Sequence, residues 1–577
     1  MGYMKYKDEI PKKTIENIQT IFLNKLGIDF QVMLHERITG VYSANIIDSV
    51  GDWSTCGKGT SDEYCLASGF GEAIEHFCNY NAFDYSLINE ENKAILNFER
   101  YFDEESHDIE SIKYKNPDIF DDMISSYTDT SNNEVDEHDV IKCWEEFFES
   151  KQTLFVPYFD VRNNDVKLLP EPILNVLCGS NGGGAGNTKE EAIGHALDEL
   201  VERFVKYKIY HEKLTPPNIT QEYIKSISND LYELIENIKN KCDCDIFVKD
   251  ASLGKGFSAL CVLMVDKNTH SYLVNFGVHP KFEIALERCI TEMFQAYEKG
   301  NKIQRKKMQT WDPFIDNSSY DISNWTSLLR DDVGVVPNEF FYEKSSWEFE
   351  PWQEFNEYNN EIGLHYQMKK FLDNGYNIYI RNNSFLDFPV FSVYIPKVSL
   401  NHIPFNEKQL KSLNLAKKIQ QIIIERESLS NDIIEDAKRL FSNDTLFGQL
   451  LLRRMSSQDL VLLQASILFD KKNILESIEI LNHVNHNNSR ILKDFLKLSE
   501  KLEHDSAVGL MSIFYSHHEL EFLKKWQQGK AFKNLFLEMI KKENYSIDIK
   551  KQKYLNELYL KYKNIQLNNS ISQYLKL

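Results

Sequence analysis

Residues 180–203 open with Ser180-Asn181-Gly182-Gly183-Gly184-Ala185-Gly186-Asn187-Thr188 and run on to Glu199-Leu200-Val201-Glu202-Arg203. The four glycines let the backbone approach a neighbour or a ligand closely. Asn187 and Thr188 can cap a helix, and Thr188-x-x-Glu191 fits a capping box. Glu190–Lys208 has 3.6-residue apolar spacing, so the glycine stretch leads into a helix N-terminus, a natural anion site. The spacing is not G-x-x-x-x-G-K-[ST], which excludes a Walker P-loop. A merely flexible loop is the competing reading of the glycines alone.

Outward from this stretch, two further helices carry the same kind of polar face. Ser68–Phe77 holds Glu72 and Glu75 at i, i+3, and Phe282–Lys299 holds Arg288, Glu292 and Gln295 at i, i+4, i+7. Glu199, Glu202 and Arg203 fall at i, i+3, i+4 on the middle helix. Apolar residues flank each set: Phe70, Ile74 and Phe77; Leu197, Leu200 and Val201; Leu286, Ile290 and Phe294. Carboxylates supply the hard oxygens that Mg2+ takes, and arginines suit phosphate oxygens, so three such faces can hold a metal–nucleotide. Solvated helix faces with i, i+4 pairs are the alternative. A Gly57-Lys58-Gly59-Thr60 turn before the first helix adds a cation.

β-Branched and aromatic residues predict strands at Gln31–Ile38, Gly40–Ile47, Asp245–Lys249, Ser258–Val265, Ser271–Phe276, Tyr376–Arg381 and Val390–Ile395. Alternating with helices, they predict an α+β domain over residues 1–405 with a mostly antiparallel sheet. From about Asn406 to Leu577 strand signals vanish. Helical segments follow one another at Glu407–Leu429, Leu446–Leu468, Ile474–Val484, Ile491–Leu502, Glu519–Lys542 and Ile549–Ile565. That predicts an all-helical C-terminal domain, either TPR-like stacked hairpins or a plain bundle.

The 577 residues carry 66 Lys and Arg against 87 Asp and Glu, a net charge of −21, which disfavours nucleic-acid binding. Between Asp103 and Glu149 there are 16 acidic residues against Lys113, Lys115 and Lys142. This reads as a solvated acidic insertion over about 83–150, or as a docking face for a basic partner. In the first case, trimming it should leave ligand binding intact. The nine cysteines, including Cys242-x-Cys244, lack the spacing of a zinc site or a radical-type iron–sulfur cluster and read as free structural thiols. No apolar run of membrane-spanning length and no signal-like N-terminus is present, so a cytoplasmic location is expected.

Taken together, the three motifs resemble those of YcaO-domain proteins. Gly57-Lys58-Gly59, Ala67-Ser68 and Glu72-x-x-Glu75 resemble the family's opening motif. Ser180-Asn181-Gly182, Ala185-Gly186-Asn187-Thr188 and Glu199-x-x-Glu202-Arg203 resemble the second. His279-Pro280, Ala285-Leu286-Glu287-Arg288, Thr291-Glu292 and Gln295 resemble the third. Lys7-Asp8 with Thr14-Ile15, Asp250-x-Ser252-Leu253-Gly254 and the helical C-terminal region are similar to stand-alone members from enteric bacteria. His76 departs from the Arg common after the second glutamate.

The resemblance implies ATP and Mg2+ as cofactors. Glu72, Glu75, Glu199, Glu202 and Glu292 would hold the metal. Lys7, Thr14, Lys58, Ser68, Ser180, Asn187, Glu191, Glu199, Arg203, Arg288 and Gln295 would contact ATP or its phosphates. No separate catalytic group is assigned. Family members phosphorylate a backbone amide oxygen, so that a neighbouring side chain or sulfide can displace phosphate.

The chain lacks the proline-rich tail of azoline-forming members. Its helical C-terminal region instead points to the stand-alone branch, accessory to a radical-SAM methylthiotransferase that β-methylthiolates an aspartate of a small-subunit ribosomal protein. A peptide-modifying enzyme acting on a precursor peptide, by azoline or thioamide formation, is the runner-up, and a non-catalytic adaptor the third reading. The resemblance further implies a homodimer. The C-terminal region is expected to dimerise the protein or dock a partner, leaving residues 1–405 with a working nucleotide site.

Overall fold

The computed structural model describes residues 7–49, 53–79, 100–127, 136–148, 150–294, 308–311, 322–331, 334–403, 487–499, 503–513 and 549–568, with single positions between 478 and 523. Thirteen strands lie among them: β1 (Phe30–Ile38), β2 (Val41–Asp48), β3 (Ser54–Gly59), β4 (Glu105–Asp108), β5 (Gln152–Asp160), β6 (Asp165–Leu169), β7 (Gly183–Ala185), β8 (Cys244–Asp250), β9 (Ala259–Asp266), β10 (Ser271–Val278), β11 (Gln309–Thr310), β12 (Tyr379–Asn382) and β13 (Val390–Tyr394). They build three sheets, ordered β1-β2-β3, β11-β10-β9-β8 and β4-β5-β12-β13-β7, with β6 alongside β5. Every strand pair is antiparallel. The fold is therefore α+β.

The helices that matter most are α1 (Pro11–Ile21), α2 (Asp62–Cys78), α3 (Pro117–Ser126), α4 (Glu137–Phe148), α5 (Lys189–His211), α6 (Phe282–Glu292), α7 (Asn360–Asp373) and α8 (Ile549–Asn568). Three of them repeat one local construction. A strand glycine lies against the fourth residue of a helix that follows it. A Cβ on Gly57 of β3 would come 2.1 Å from the Cys65 carbonyl of α2. On Gly184 of β7 it would come 2.2 Å from the Ala192 carbonyl of α5, and on Gly277 of β10, 2.4 Å from the Ala285 carbonyl of α6. At the eighth residue of each helix the match repeats, at the Gly69, Ala196 and Cys289 amides, each 2.8 Å from the same imagined Cβ. Only glycine permits this approach of backbone to backbone.

The glycine stretch is thus neither a flexible loop nor a free anion cradle. Gly183–Ala185 is a buried strand; its Gly184 receives α5, and its Gly183 lies against the Glu75 side chain of α2. Likewise Gly57-Lys58-Gly59 is the end of β3 rather than a turn.

Where it is described, the acidic segment turns many of its acids outward, Glu105, Asp108, Glu110, Asp121, Glu137 and Asp139 among them, but packs an apolar side into the core. α3 and α4 bury Ile119, Phe120, Met123, Trp144 and Phe147, and β4 pairs with β5. Asp103 binds the buried Arg381 at 2.8 Å, and Asp122 accepts from the Tyr394 hydroxyl at 2.6 Å. Glu104 accepts from the amides of Arg100 and Tyr101, and burial pushes its carboxyl up to about 7. Charge density misled the sequence reading because the apolar residues between the acids form amphipathic stripes. Trimming the segment would open the core.

In the C-terminal region, Asn487–Ser499, His504–Met511 and α8 are helices. The expected helices Glu407–Leu429, Leu446–Leu468 and Glu519–Lys542 lie essentially outside the described residues. α8 does not stand apart from the first 405 residues. Tyr562 is fully buried, its ring 5.1 Å from Phe77 of α2, and its hydroxyl donates to the Cys78 carbonyl at 3.2 Å. A fragment 1–405 would expose this seat.

The strand–helix contact can be tested against an internal control. Gly184→Ala should cost about 1–3 kcal/mol by overpacking. Gly194→Ala, mid-helix in α5 with nothing within 4 Å of the added Cβ, should stabilise by about 1 kcal/mol. Urea unfolding of the two variants would show opposite shifts in midpoint.

Candidate functional site

The three glycine contacts fix the phase of the three helices. Counted from each helix start, Glu72, Glu199 and Glu292 are all eleventh, and Glu75 and Glu202 fourteenth. The fourteenth position from the start of α6 is Gln295, which lies outside the described residues. Ser68, His195 and Arg288 share the seventh position. Equivalent positions on equivalently seated helices bring their polar faces to one region.

Glu72, Glu75 and Glu199 come within electrostatic reach of one another. Burial, then Glu199 and Glu72, hold the Glu75 carboxyl well above the ordinary range. Burial also raises Glu72, opposed by His76 and Lys58 and reinforced by Glu199. The nearest His76 nitrogen is 4.0 Å from Glu72. β7 passes beside this group: a Cβ on Gly183 would come 2.7 Å from Glu75 Oε1.

Two cations stand among the carboxylates. Arg203 grips Glu199 through Nε and Nη2, both at 3.0 Å, and donates from Nη1 to the Leu329 carbonyl at 3.1 Å. Lys58 forms an ion pair with Glu292. Glu202 is half-buried on α5, where its charge is felt by Cys289 of α6. Ser68 lies one turn before Glu72 on the same face of α2.

A second cluster sits at the N-terminal end of α5. Thr188 caps the helix, accepting from the Glu191 amide at 3.2 Å. The capping box is only half made, because the Glu191 carboxylate turns to other partners. It accepts from Lys7 Nζ at 3.0 Å, the Asp8 amide at 3.2 Å and Asn187 Nδ2 at 3.2 Å. Thr14 of α1 donates to Asn187 Oδ1 at 2.8 Å. Lys7, Thr14, Asn187 and Glu191, taken from three separated stretches of sequence, are thus brought together.

Lys7 Nζ also meets His195 Nε2 at 2.7 Å. Arg288 Nη1 donates to Asp198 at 2.5 Å and to the Val278 carbonyl at 2.7 Å, while Gln367 of α7 donates to the other Asp198 oxygen. Burial, followed by Lys7 and Arg288 for His195 and by Arg288 and Lys7 for His279, holds both imidazoles well below their usual range. His279 therefore accepts from the Lys281 amide at 3.0 Å as a neutral ring.

Ser180 is the outlier. It is exposed on the turn before β7 and lines a polar recess of about 40 Å³ with Asn79, Tyr158 and Glu171. It shares no described hydrogen bond with the α5 cluster.

Sequence reasoning missed His195, Asp198 and Gln367. The first two were legible as a stripe: Glu191, His195, Asp198 and Glu202 fall at i, i+4, i+7 and i+11 on α5. Gln367 had no signal, since only the packing of α7 on α5 brings it in.

Among the described residues, no three His, Cys, Asp or Glu side chains are close enough to chelate an ion as they stand. The donors nevertheless fit Mg2+. They are hard carboxylate oxygens, partly withdrawn from water and raised by mutual repulsion, and a divalent cation relieves that repulsion.

Residues 56–399 match the family model described as YcaO cyclodehydratase, ATP- and Mg2+-binding. The match spans more than half of the 577 residues, and the chain belongs to the YcaO family. It is 28% identical over 374 residues to an uncharacterized protein of Haemophilus influenzae, covering 63% of this chain and 60% of that one. It is 27% identical over 321 residues to the ribosomal protein S12 methylthiotransferase accessory factor YcaO of Escherichia coli, covering 55% of this chain and 52% of that one. The chain thus spans between half and two thirds of these curated relatives. Among solved structures, a heterocyclase in complex with substrate and cofactor gives a TM-score of 0.47 at 16% identity, covering 68% of this chain and 53% of that one. YcaO from Methanopyrus kandleri bound with AMPPCP and Mg2+ gives 0.40 at 14% identity, covering 68% and 92%. No helix among the described residues is long and apolar enough to cross a membrane.

Glu75 yields a prediction with a definite sign. Its carboxyl is raised on folding, so ionising it costs stability. That cost is absent below the ordinary carboxylate range, grows as pH rises and is complete above the folded value. Glu75→Gln should therefore melt higher than wild type at pH 8 without ligand, by roughly 1 °C per kcal/mol relieved in a chain of this length, and the gain should vanish near pH 4. Calorimetric scans at the two pH values decide it.

Proposed function

We propose that the chain binds Mg–ATP between α2, α5 and α6 and uses it to activate an amide or carboxyl oxygen of a protein substrate. The observation that carries this reading is the repeated glycine seat, which delivers Glu72, Glu199 and Glu292 from equivalent positions in a chain of an ATP- and Mg2+-binding family.

Glu72, Glu75, Glu199, Glu202 and Glu292 would hold the metal, which when bound neutralises phosphate charge. Lys58 and Arg203, now paired with Glu292 and Glu199, would pass to phosphate oxygens as the metal takes over the carboxylates. Arg288 and Lys7 bring further positive charge along α5, Arg288 held by Asp198 beside Glu199 and Lys7 by Glu191 in the first turn. Thr14 and Asn187 fasten α1 onto the start of α5, closing that end. Ser68, Ser180 and Gln295 remain assigned to ATP by family resemblance alone.

In the reaction, the γ-phosphorus forms a bond to the substrate oxygen as its bond to the β,γ-bridging oxygen breaks and ADP leaves. A nucleophile then displaces phosphate. Phosphoryl transfer needs positioning and charge neutralisation more than a protein nucleophile, which suits a site made of Glu, Arg and Lys.

Within the family, the reading is an accessory role in β-methylthiolation of an aspartate of a small-subunit ribosomal protein. The E. coli relative's name supports it. A radical-SAM methylthiotransferase would be the partner, and a homodimer in the cytoplasm the working form. The second reading, a peptide-modifying enzyme, is supported by the cyclodehydratase description of the family.

Millimolar Mg–ATP should raise the melting temperature by mass action. Glu202→Gln keeps the side-chain shape but removes a ligand charge, so ATP turnover should fall at least about 100-fold while the fold persists. Near-wild-type turnover would return Glu202 to the status of a solvated face residue. Intact-mass analysis of ribosomal proteins from a deletion strain separates the two readings. Loss of a methylthio group supports the accessory role, whereas an unchanged ribosome and an altered small peptide support the second.

A further inference from the structure

α7 turns one buried stripe toward the rest of the protein: Gly363, Gln367 and Phe371, spaced i, i+4, i+8. Gly363 makes room for the Tyr358 hydroxyl, and Phe371 joins an apolar cluster, its ring 5.6 Å from Phe257. Gln367 is the polar member, only 5% exposed in the middle of that stripe. A methionine would fill similar space without the cost of desolvating an amide. The Gln367 amide nitrogen instead reaches the carboxylate of Asp198 on α5, 169 residues away in sequence.

Asp198 is itself buried, and a buried carboxylate calls for donors on both oxygens. Arg288 Nη1 donates to one oxygen and Gln367 to the other. With Arg288 alone, the carboxylate could turn about its broad terminal torsion and offer the arginine either oxygen. Gln367 removes that freedom by holding one oxygen from a third helix.

Arg288 Nη1 has a second acceptor, the Val278 carbonyl at 2.7 Å, at the end of β10. The chain just before α7 steadies this side too. His279 Nδ1 accepts from the Lys281 amide, so in the neutral ring Nε2 carries the proton and donates to the Tyr358 hydroxyl oxygen at 3.2 Å. Two fixed acceptors on Nη1 set the plane of a rigid guanidinium, and with it the directions of its other N–H groups.

We propose that Gln367 is a positioning residue for the nucleotide site: by holding Asp198 it aims Arg288 at the polyphosphate. The proposal rests on the Mg–ATP reading above. It gives α7, which carries none of the three sequence motifs, a part in phosphate binding without touching the nucleotide.

A glutamine that only satisfies a buried carboxylate would act independently of Arg288, and a double-mutant cycle separates the two roles. Calorimetry on the full chain with Mg2+ and a non-hydrolysable ATP analogue gives Kd for wild type, Gln367→Met, Arg288→Met and the double variant. Gln367→Met keeps the side-chain length and removes the donor. It should weaken binding about 10-fold, the scale of a hydrogen bond to a charged group, with unchanged circular dichroism. Arg288→Met should weaken binding at least as much. The double variant should bind no more weakly than Arg288→Met, because a residue that acts through Arg288 then has nothing to act on. Gln367→Asn, which keeps the amide but draws it back by one methylene, runs the same cycle if Gln367→Met fails to fold. Wild-type affinity in the Gln367 variant, or a loss that adds in full to that of Arg288→Met, would overturn the positioning role and leave the nucleotide reading standing. A wild type that does not bind the analogue, or an Arg288→Met variant that binds it as wild type does, would overturn the nucleotide reading of Arg288 and this proposal with it.

Discussion

The contact of a strand glycine with the fourth residue of a following helix governs much of this molecule. It is made at Gly57, Gly184 and Gly277, and at each the helix lies so close that a methyl group could not be inserted. Such closeness leaves little freedom of helix rotation. The rotational setting decides which residues reach the core and which reach the site. Ala73, Ile74 and Phe77 go one way from α2, and Glu72 and Glu75 the other. A helix seated on longer side chains could roll by tens of degrees and scatter the carboxylates.

The electrostatics follow from that geometry. Burial disfavours the charged carboxylates, and their convergence adds repulsion, which is why Glu72 and Glu75 are pushed upward. The protein relieves part of this cost with its own cations, Arg203 on Glu199 and Lys58 on Glu292. Under the proposed function those pairs would be placeholders: a metal ion taking the carboxylates would leave both cations to find new anions, and a polyphosphate would supply them. The same logic holds further toward the start of α5, where Asp198, next to Glu199, keeps Arg288 ordered and Glu191 in the first turn keeps Lys7 ordered. Stability and function therefore pull against each other along these helix faces.

Much of this was legible in the sequence. The strands at 30–38, 41–48, 244–250, 259–266 and 271–278 follow β-branched and aromatic content within a residue or two, and all but the first, which is largely exposed, are mostly buried. The Glu pairs were legible because helical spacing puts them on one face. The glycines were noticed but their purpose was not, since a glycine that admits a ligand and a glycine that admits a helix look the same in one dimension. The acidic segment was misread for a related reason: its charge is evident, whereas the burial of Trp144 and Phe147 depends on partners far along the chain. The reach of Tyr562 into α2, across 484 residues, had no local signal at all.

The most direct test of the central claim is a crystal structure of the protein with Mg2+ and a non-hydrolysable ATP analogue. The geometry predicts a metal about 2.0–2.1 Å from carboxylate oxygens of at least two of the helices α2, α5 and α6. It also predicts that Lys58 will have left Glu292 for a phosphate oxygen. Nucleotide bound elsewhere, with the Lys58–Glu292 and Arg203–Glu199 pairs intact and no metal on these glutamates, would contradict it.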